Sequence, residues 1–257
     1  MVRASYKELV SFVRYFRHFG TPVIIGGWAV FFYNPYYGSV DIDVVGPSVN
    51  GTFDETIESY ERSNDYVITK QDLLGTEIVA SKTILSRTGK KIGDMEIDAC
   101  TYEQPGVAEF HEDRSKTLPY ALCGESGRTQ EVRIAQDCVC YVPIKPLLTL
   151  FKVKARRDRS YDIATKGSTI GASKLAWLKS KAIKDGSDII ALLDPASRKA
   201  ALEDRMDYEQ LKDLATNSNI ADLVKATLQD VLKDRSSLTL YGRKINAVSV
   251  RKHISDL

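Results

Sequence analysis

Two aspartates separated by one residue, Asp41 and Asp43, lie in the apolar run 40–45. In an extended strand residues i and i+2 share a face, so both carboxylates leave one side of the strand while Ile42 and Val44 enter the core. Like charges held this close repel and retain a proton unless a cation lies between them. Mg²⁺ meets that need, because it takes carboxylate oxygens and substrate phosphate oxygens in the same shell. A third carboxylate, Asp98, stands in the apolar run 95–100, on the opposite parity from Ile97 and Ala99 and the same parity as Glu96. If that strand pairs with the first, Asp41, Asp43 and Asp98 form a cluster for one or two Mg²⁺ ions. One ion would activate an attacking hydroxyl and the other would neutralise a triphosphate and its leaving group. Upstream, Gly26 and Gly27 fall where an apolar strand gives way to a helix. A backbone without Cβ can approach an anion closely, and a helix N-terminus supplies free N–H groups. Asp-x-Asp alone is common on surface strands and Gly-Gly alone is usually a tight turn; their combination is what points to phosphoryl chemistry.

These residues need a scaffold. Apolar spacing predicts a helix over 5–19, a strand over 23–25, a helix over 28–32 and the acidic strand over 40–45. A helix over 52–62 follows, with Thr52 as N-cap and Glu55 closing a capping box. Strands are expected at 66–69, 78–85 and 95–100, and a hairpin or edge strand at 133–142, after a polar stretch 103–131 holding one short helix. From residue 146 the pattern is helical, over 146–157, 173–183, 186–193, 197–215 and 219–234, with 238–250 ending as a short strand or irregular tail. The expected fold class is α/β: a mixed sheet with flanking helices over 1–142, then an all-helical domain over 143–257.

The chain has 257 residues, 43% of them apolar and 27% charged, the balance of a folded soluble protein. No apolar run is long enough to span a bilayer, the opening residues carry no leader pattern, and the four cysteines make no disulfide framework. No membrane partner and a reducing cytoplasm are therefore expected. The net charge is only +2, but residues 143–185 hold eleven Lys or Arg against three Asp. A basic wall of this kind suits polyphosphate or RNA backbone, with solvated helix faces as the plain alternative. Within it Lys152 shares a face with Arg156, and Arg159 is a reserve phosphate contact. Tyr36 and Tyr37, next to the acidic pair in sequence, either stack on a nucleobase or pack. Trp28 and Phe31 read as core.

Gly26-Gly27, then Gly38-Ser39-Val40-Asp41-Ile42-Asp43, then Ile97-Asp98 resemble the nucleotidyltransferase superfamily that includes DNA polymerase beta. Within it the chain is most similar to the AbiEii-type branch of toxin–antitoxin and abortive-infection systems, whose helical second domain carries a Lys-x4-Arg signal and a Lys-Asp-x-x-Asp signal. Lys152 with Arg157 matches the first, and Lys184-Asp185 with Asp188 matches the second. The resemblance implies that Asp41, Asp43 and Asp98 bind metal and act in catalysis. It implies that Gly26, Gly27, Ser39, Lys152, Arg157 and Lys184 hold a nucleoside triphosphate, and that Asp188 is a helper acid partnering the basic residues. It also implies an antitoxin partner or self-association. The implied reaction moves a nucleoside monophosphate from an NTP to a hydroxyl, with the 3′ end of tRNA, a small hydroxylated compound or a protein side chain as acceptor, and releases pyrophosphate. A non-catalytic RNA- or partner-binding protein and a metal-dependent nuclease are the rival readings. The sequence departs from the branch at Tyr37, where Arg is common, at Ser39, where Thr is common, and in an apparent insertion over 160–183.

Overall fold

The computed structural model describes residues 1–17, 20, 22–47, 52–71, 77–86, 88–103, 108–194, 200–202 and 205–255. The chain forms two compact units. The first comprises Met1–Phe32, Gly38–Val107 and Pro119–Ile144; the second comprises Tyr33–Tyr37, Ala108–Leu118 and Lys145–Leu257. The helical unit thus takes in two segments from earlier in the chain, which a single boundary at residue 143 does not express.

The first unit is built on a seven-stranded mixed sheet. Its strands are β1 Val23–Ile24, β2 Ile42–Gly46, β3 Val67–Gln71, β4 Glu77–Leu85, β5 Lys91–Thr101, β6 Thr129–Ala135 and β7 Cys138–Pro143. Their order across the sheet is β3-β4-β5-β2-β1-β7-β6. β2 runs parallel to β5 and β1 parallel to β7, while the other neighbours are antiparallel. β2 is central, so Ile42, Val44 and Val45 are fully buried, as an interior strand paired on both edges requires. The expected hairpin is β6–β7, and β6 is also the sheet edge. All four cysteines are buried and free, Cys138 and Cys140 alternating inward along β7.

Helix α1, Val2–Phe16, buries Leu9, Phe12, Val13 and Phe16 along one stripe. Phe12 meets Tyr60 edge-on at 5.1 Å and Phe16 meets Phe53 at 5.6 Å, which seats α1 on α3, Thr52–Ser63. The expected end of α1 at residue 19 and the Thr52 side-chain cap lie outside the described residues. Helix α2, Gly26–Tyr33, has no polar face. A helix apolar all round must be buried, and Trp28, Ala29, Val30, Phe32 and Tyr33 are. The Trp28 indole N–H donates to Ser5 Oγ at 3.1 Å.

Within α3 the Glu61 side chain is fully buried, and among the described residues neither carboxylate oxygen finds a hydrogen-bond partner. Burial, with Glu58 adding to it against Arg62, pushes its carboxyl up to about 7. An acid whose folded-state pKa is raised carries no penalty while both states are protonated. It then destabilises progressively as pH rises from the unfolded value through the folded one. Glu61→Gln should therefore match the native protein near pH 4 and exceed its stability at pH 8 by up to about 3 kcal/mol. Urea unfolding at the two pH values measures this, and an equal difference at both would remove ionisation as the cause.

The second unit contains α4 Lys145–Lys166, α5 Ala172–Leu193, α6 Tyr208–Asn217, α7 Ala221–Val231, α8 Arg235–Tyr241 and α9 Ala247–Ser255. Pro146 occupies the first turn of α4, where a missing N–H is harmless. Several sequence expectations change here. The two helices expected over 173–183 and 186–193 are one, and Gly186 does not interrupt it. A Cβ at Gly186 would lie 2.2 Å from Ser237 Oγ, so this glycine serves the close approach of α5 and α8 rather than a turn. The apparent insertion over 160–183 is mostly helix, the end of α4 and the start of α5 around a short turn. Residues 205–207 are not helical, so the helix expected from 197 starts at Tyr208, with 197–199 outside the described residues. The tail over 238–250 is helical at both ends, because Gly242 caps α8 in the left-handed region, φ 72°, and α9 begins at Ala247. No helix among the described residues is long and apolar enough to cross a membrane.

Candidate functional site

In the sheet unit the parallel pairing of β2 with β5 sets Asp43 directly opposite Asp98 and Val44 opposite Ala99. Paired residues share a face, so the two carboxylates project together from neighbouring strands while Ile42 and Ile97 fill the other side. Burial above all, then Asp43 and Glu77, push the Asp98 carboxyl up to about 7; Lys70 and the Cys100 thiol oppose this. Cys100 Sγ lies 3.7 Å from Asp98 Oδ1. Two strands further out, Lys70 Nζ pairs with Glu77 Oε1 at 2.5 Å. The β4–β5 register places Glu77 opposite Cys100, on the acid-bearing face. Tyr120, in the short 3₁₀ turn Tyr120–Gly124, is also coupled to Cys100, Asp98 and Asp43, and burial pushes its phenol well above the usual range. Glu77, Lys70 and Tyr120 carried no sequence signal, since strand register brings the first two to this face and the packing of a 3₁₀ turn brings the third.

Gly26 has φ +65° and begins α2 rather than a turn before it. A Cβ there would lie 1.8 Å from Asp43 Oδ2 and 2.5 Å from its Cγ. The Asp43 side chain therefore packs on the bare Cα of Gly26, at a helix start where backbone N–H groups lack helical partners and a negative charge is favoured. The main chain ties the same residues together, with the Ile25 N–H donating to the Asp43 carbonyl at 2.9 Å. Gly27 is buried in the first turn of α2. Ser39, partly buried, and Asp41, one residue before β2 begins, lead into the acidic strand.

Among the described residues no three His, Cys, Asp or Glu side chains are grouped closely enough to enclose a metal ion. The acids that register does bring together are a pair, Asp43 and Asp98. Hard oxygens on adjacent strands, one of them driven toward its protonated form by the other, still suit a hard divalent cation.

The basic candidates belong to the helical unit. Lys152 Nζ lies 2.9 Å from Asp188 Oδ2 and 3.5 Å from Asp185 Oδ1. Lys184 pairs with Asp188 one turn away on α5, and the Tyr36 hydroxyl donates to Asp188 Oδ1 at 2.6 Å. Arg159 pairs with Asp185. Burial would raise the Asp188 carboxyl, but Lys152 and Lys184 hold it below the usual carboxylate range. Burial lowers the Lys184 ammonium despite Asp188. Arg157 does not join this cluster. Five residues after Lys152 it faces another way, pairs with Glu112 and donates to Thr227 Oγ1 at 3.1 Å. It lines a cavity of about 260 Å³ with Arg156, Tyr161 and Asp230. Arg156 pairs with Asp234 rather than standing with Lys152. The expected basic wall is thus largely an internal ion-pair network, with Lys154 on Asp158 and Lys166 on Asp162 continuing it.

No protein-family model matches this chain, and no curated protein does. Among solved structures it is similar to JHP933 from Helicobacter pylori, with 13% identity and a TM-score of 0.40 over 94% of this chain and 98% of that one. It is also similar to a candidate nucleotidyltransferase from H. pylori, with 12% identity and a TM-score of 0.38 over 90% and 96% of the two chains.

Proposed function

We propose that the chain is a metal-dependent nucleotidyltransferase that moves a nucleoside monophosphate from an NTP to a hydroxyl acceptor. The observation that carries this reading is the register of Asp43 against Asp98 on parallel β2 and β5, with the Asp43 carboxylate seated on the bare Cα of Gly26. Asp43 and Asp98, the pair that strand register brings together, are the residues to hold Mg²⁺; Asp41 does not complete a group of three with them. When bound, the ion supplies charge neutralisation for the triphosphate and for the departing pyrophosphate. Asp98, whose carboxyl burial and then Asp43 push up to about 7, would in its ionised form be basic enough to take the proton of an acceptor hydroxyl. Gly26, Gly27 and Ser39 frame the approach to Asp43 from the α2 side.

The AbiEii-type branch is the finer proposal. It is supported by the direct ion pair of Lys152 with Asp188, the residues its two helical signals place on different helices. Under that proposal Lys152 and Lys184 hold nucleotide phosphates once Asp188 releases them, RNA is the favoured acceptor, and an antitoxin or a second copy of the chain is a partner. The rival reading, a fold kept for binding without catalysis, draws on the same network, since the cations expected to grip phosphate are already satisfied by Asp185, Asp188 and Glu112.

The test is pyrophosphate release from each labelled NTP with total RNA, with and without Mg²⁺. Transfer should require the divalent ion and should fall on the order of 10²-fold or more in Asp98→Asn. Release that is indifferent to chelation or to Asp98→Asn, or no transfer by folded protein with any NTP, would leave the binding reading in its place.

A further inference from the structure

The sheet ends in two edge strands, β3 and β6. An edge leaves a row of backbone N–H and C=O groups open to another strand unless short length, lysine, proline or a bulge protects it. β3 is protected: it has five residues, carries Lys70 and is bulged between Ile68 and Lys70. β6 runs for seven residues with neither lysine nor proline, and its pairing with β7 stays regular from Thr129 to Arg133. Two backbone bonds show which of its groups lie on the open side. The Ile144 N–H donates to the Arg128 carbonyl at 2.9 Å, one step beyond the Thr129–Pro143 pair. The Tyr141 N–H, opposite Glu131, turns away to the Pro22 carbonyl at 3.2 Å. Bonded and unbonded pairs alternate along an antiparallel ladder. Arg128, Gln130 and Val132 therefore bond toward β7, while Glu131 and Arg133 direct N–H and C=O outward from the sheet. The side chains alternate too. Val132 and Ile134 are buried, whereas Glu131 and Arg133 are exposed and share the other face. Arg133 donates to the Gln136 carbonyl at 3.0 Å, and among the described residues neither it nor Glu131 forms an ion pair.

We propose that β6 is the interface of a twofold dimer, pairing antiparallel with β6 of a second copy so that Val132 lies opposite the partner's Val132. Under a twofold the same strand meets itself. Outward N–H and C=O groups must face one another, so the axis passes beside a residue and not between two. Centring on Glu131 sets that acid against its own twin, and centring on Arg133 does the same to the cation; like charges directly opposite destabilise. Of these three registers only the one centred on Val132 sets Glu131 opposite the partner's Arg133, twice over by symmetry. Each of those two pairs also exchanges both backbone bonds, and Val132 meets its twin on the buried face. The AbiEii-type resemblance offers a second copy as one partner and assigns it no surface. The β6 pairing rests neither on that branch nor on the Asp43–Asp98 chemistry.

The full chain is followed by sedimentation equilibrium in chelator and without NTP, so that failure here and failure of the catalytic reading are distinguishable. A reversible monomer–dimer equilibrium is expected. Glu131→Arg and Arg133→Glu should each weaken it on the order of 10- to 100-fold, because each sets two like-charged pairs across the twofold. Mixing these two variants should restore a dimer, since each supplies the charge the other lacks. The exchanged chain Glu131→Arg/Arg133→Glu should self-associate as the native one does. Backbone pairing has its own readout: the Glu131 and Arg133 amides should exchange slowly with solvent at concentrations that favour the dimer and fast on dilution. A chain that stays monomeric, a dimer indifferent to either reversal, reversed chains that do not pair on mixing, an exchanged chain that stays monomeric, or amides whose exchange ignores concentration would each overturn the proposal.

Discussion

Gly26→Ala is expected to cost the sheet unit about 2–5 kcal/mol and, under the proposed function, to reduce nucleotidyl transfer on the order of 10²-fold. Two independent effects add. The residue holds φ +65°, where a Cβ costs about 1–2 kcal/mol. The Cβ would also fall 1.8 Å from Asp43 Oδ2, so the carboxylate must move by an ångström or more, an overpacking cost of about 1–3 kcal/mol. Displacing Asp43 by that distance is what harms the chemistry. A double-mutant cycle separates the terms. In Gly26→Ala/Asp43→Ala the two nearest atoms, Oδ2 and Cγ of residue 43, are gone and its Cβ remains 2.9 Å away, so the overpacking cost should fall while the backbone strain remains and activity stays lost. Urea denaturation of the four proteins reads the coupling. Simple additivity would mean that Gly26 and Asp43 do not touch as described.

Asp188→Ala should destabilise the helical unit by about 3–5 kcal/mol, because it removes the carboxylate that Lys184 pairs with and the nearer of the two that Lys152 pairs with. Asp188 is fully buried, pairs with both Lys152 and Lys184, and accepts from Tyr36. Lys184 is already lowered by burial against the pull of Asp188, so in the variant it should give up its proton more readily. A lysine with a depressed folded-state pKa is a penalty below its unfolded pKa, and the penalty is lost once both states are neutral. The deficit of Asp188→Ala should therefore shrink between pH 7 and pH 10. Denaturation midpoints across that range measure it, and a deficit independent of pH would assign the loss to packing alone. Lys154→Met, at a pair between neighbouring turns of one helix, should cost less, since Asp158 still accepts from the His111 backbone N–H at 2.9 Å.

The charged residues show where sequence reading stops. Eleven cations in residues 143–185 read as a surface for phosphate. Folding instead sets Lys152, Arg156, Arg157, Arg159 and Lys184 against acids from α5, α8 and the segment Ala108–Leu118. Partners such as Glu112 and Asp234 lie 45 and 78 residues from the arginines they meet, and no local periodicity encodes such pairings. Gly186 misled for a similar reason. As punctuation it reads as a helix break, yet it is the contact that lets α5 approach Ser237.

By itself the sequence determined which residues alternate on each strand and which face of each helix is apolar, because those periods of 2 and 3.6 are local properties of the backbone. Asp41 and Asp43 on one parity, the buried Ile42 and Val44 between and after them, and Asp98 between Ile97 and Ala99 followed from that. It also determined that a mixed α/β half precedes a helical one. Only the tertiary structure decided that β2 lies beside β5 with Asp43 facing Asp98, that Glu77 and Lys70 share their face, and that Gly26 serves Asp43. Strand order and register are fixed by side chains competing for a common core across more than fifty residues of chain, and a shift of one residue would have sent Asp98 to the opposite face.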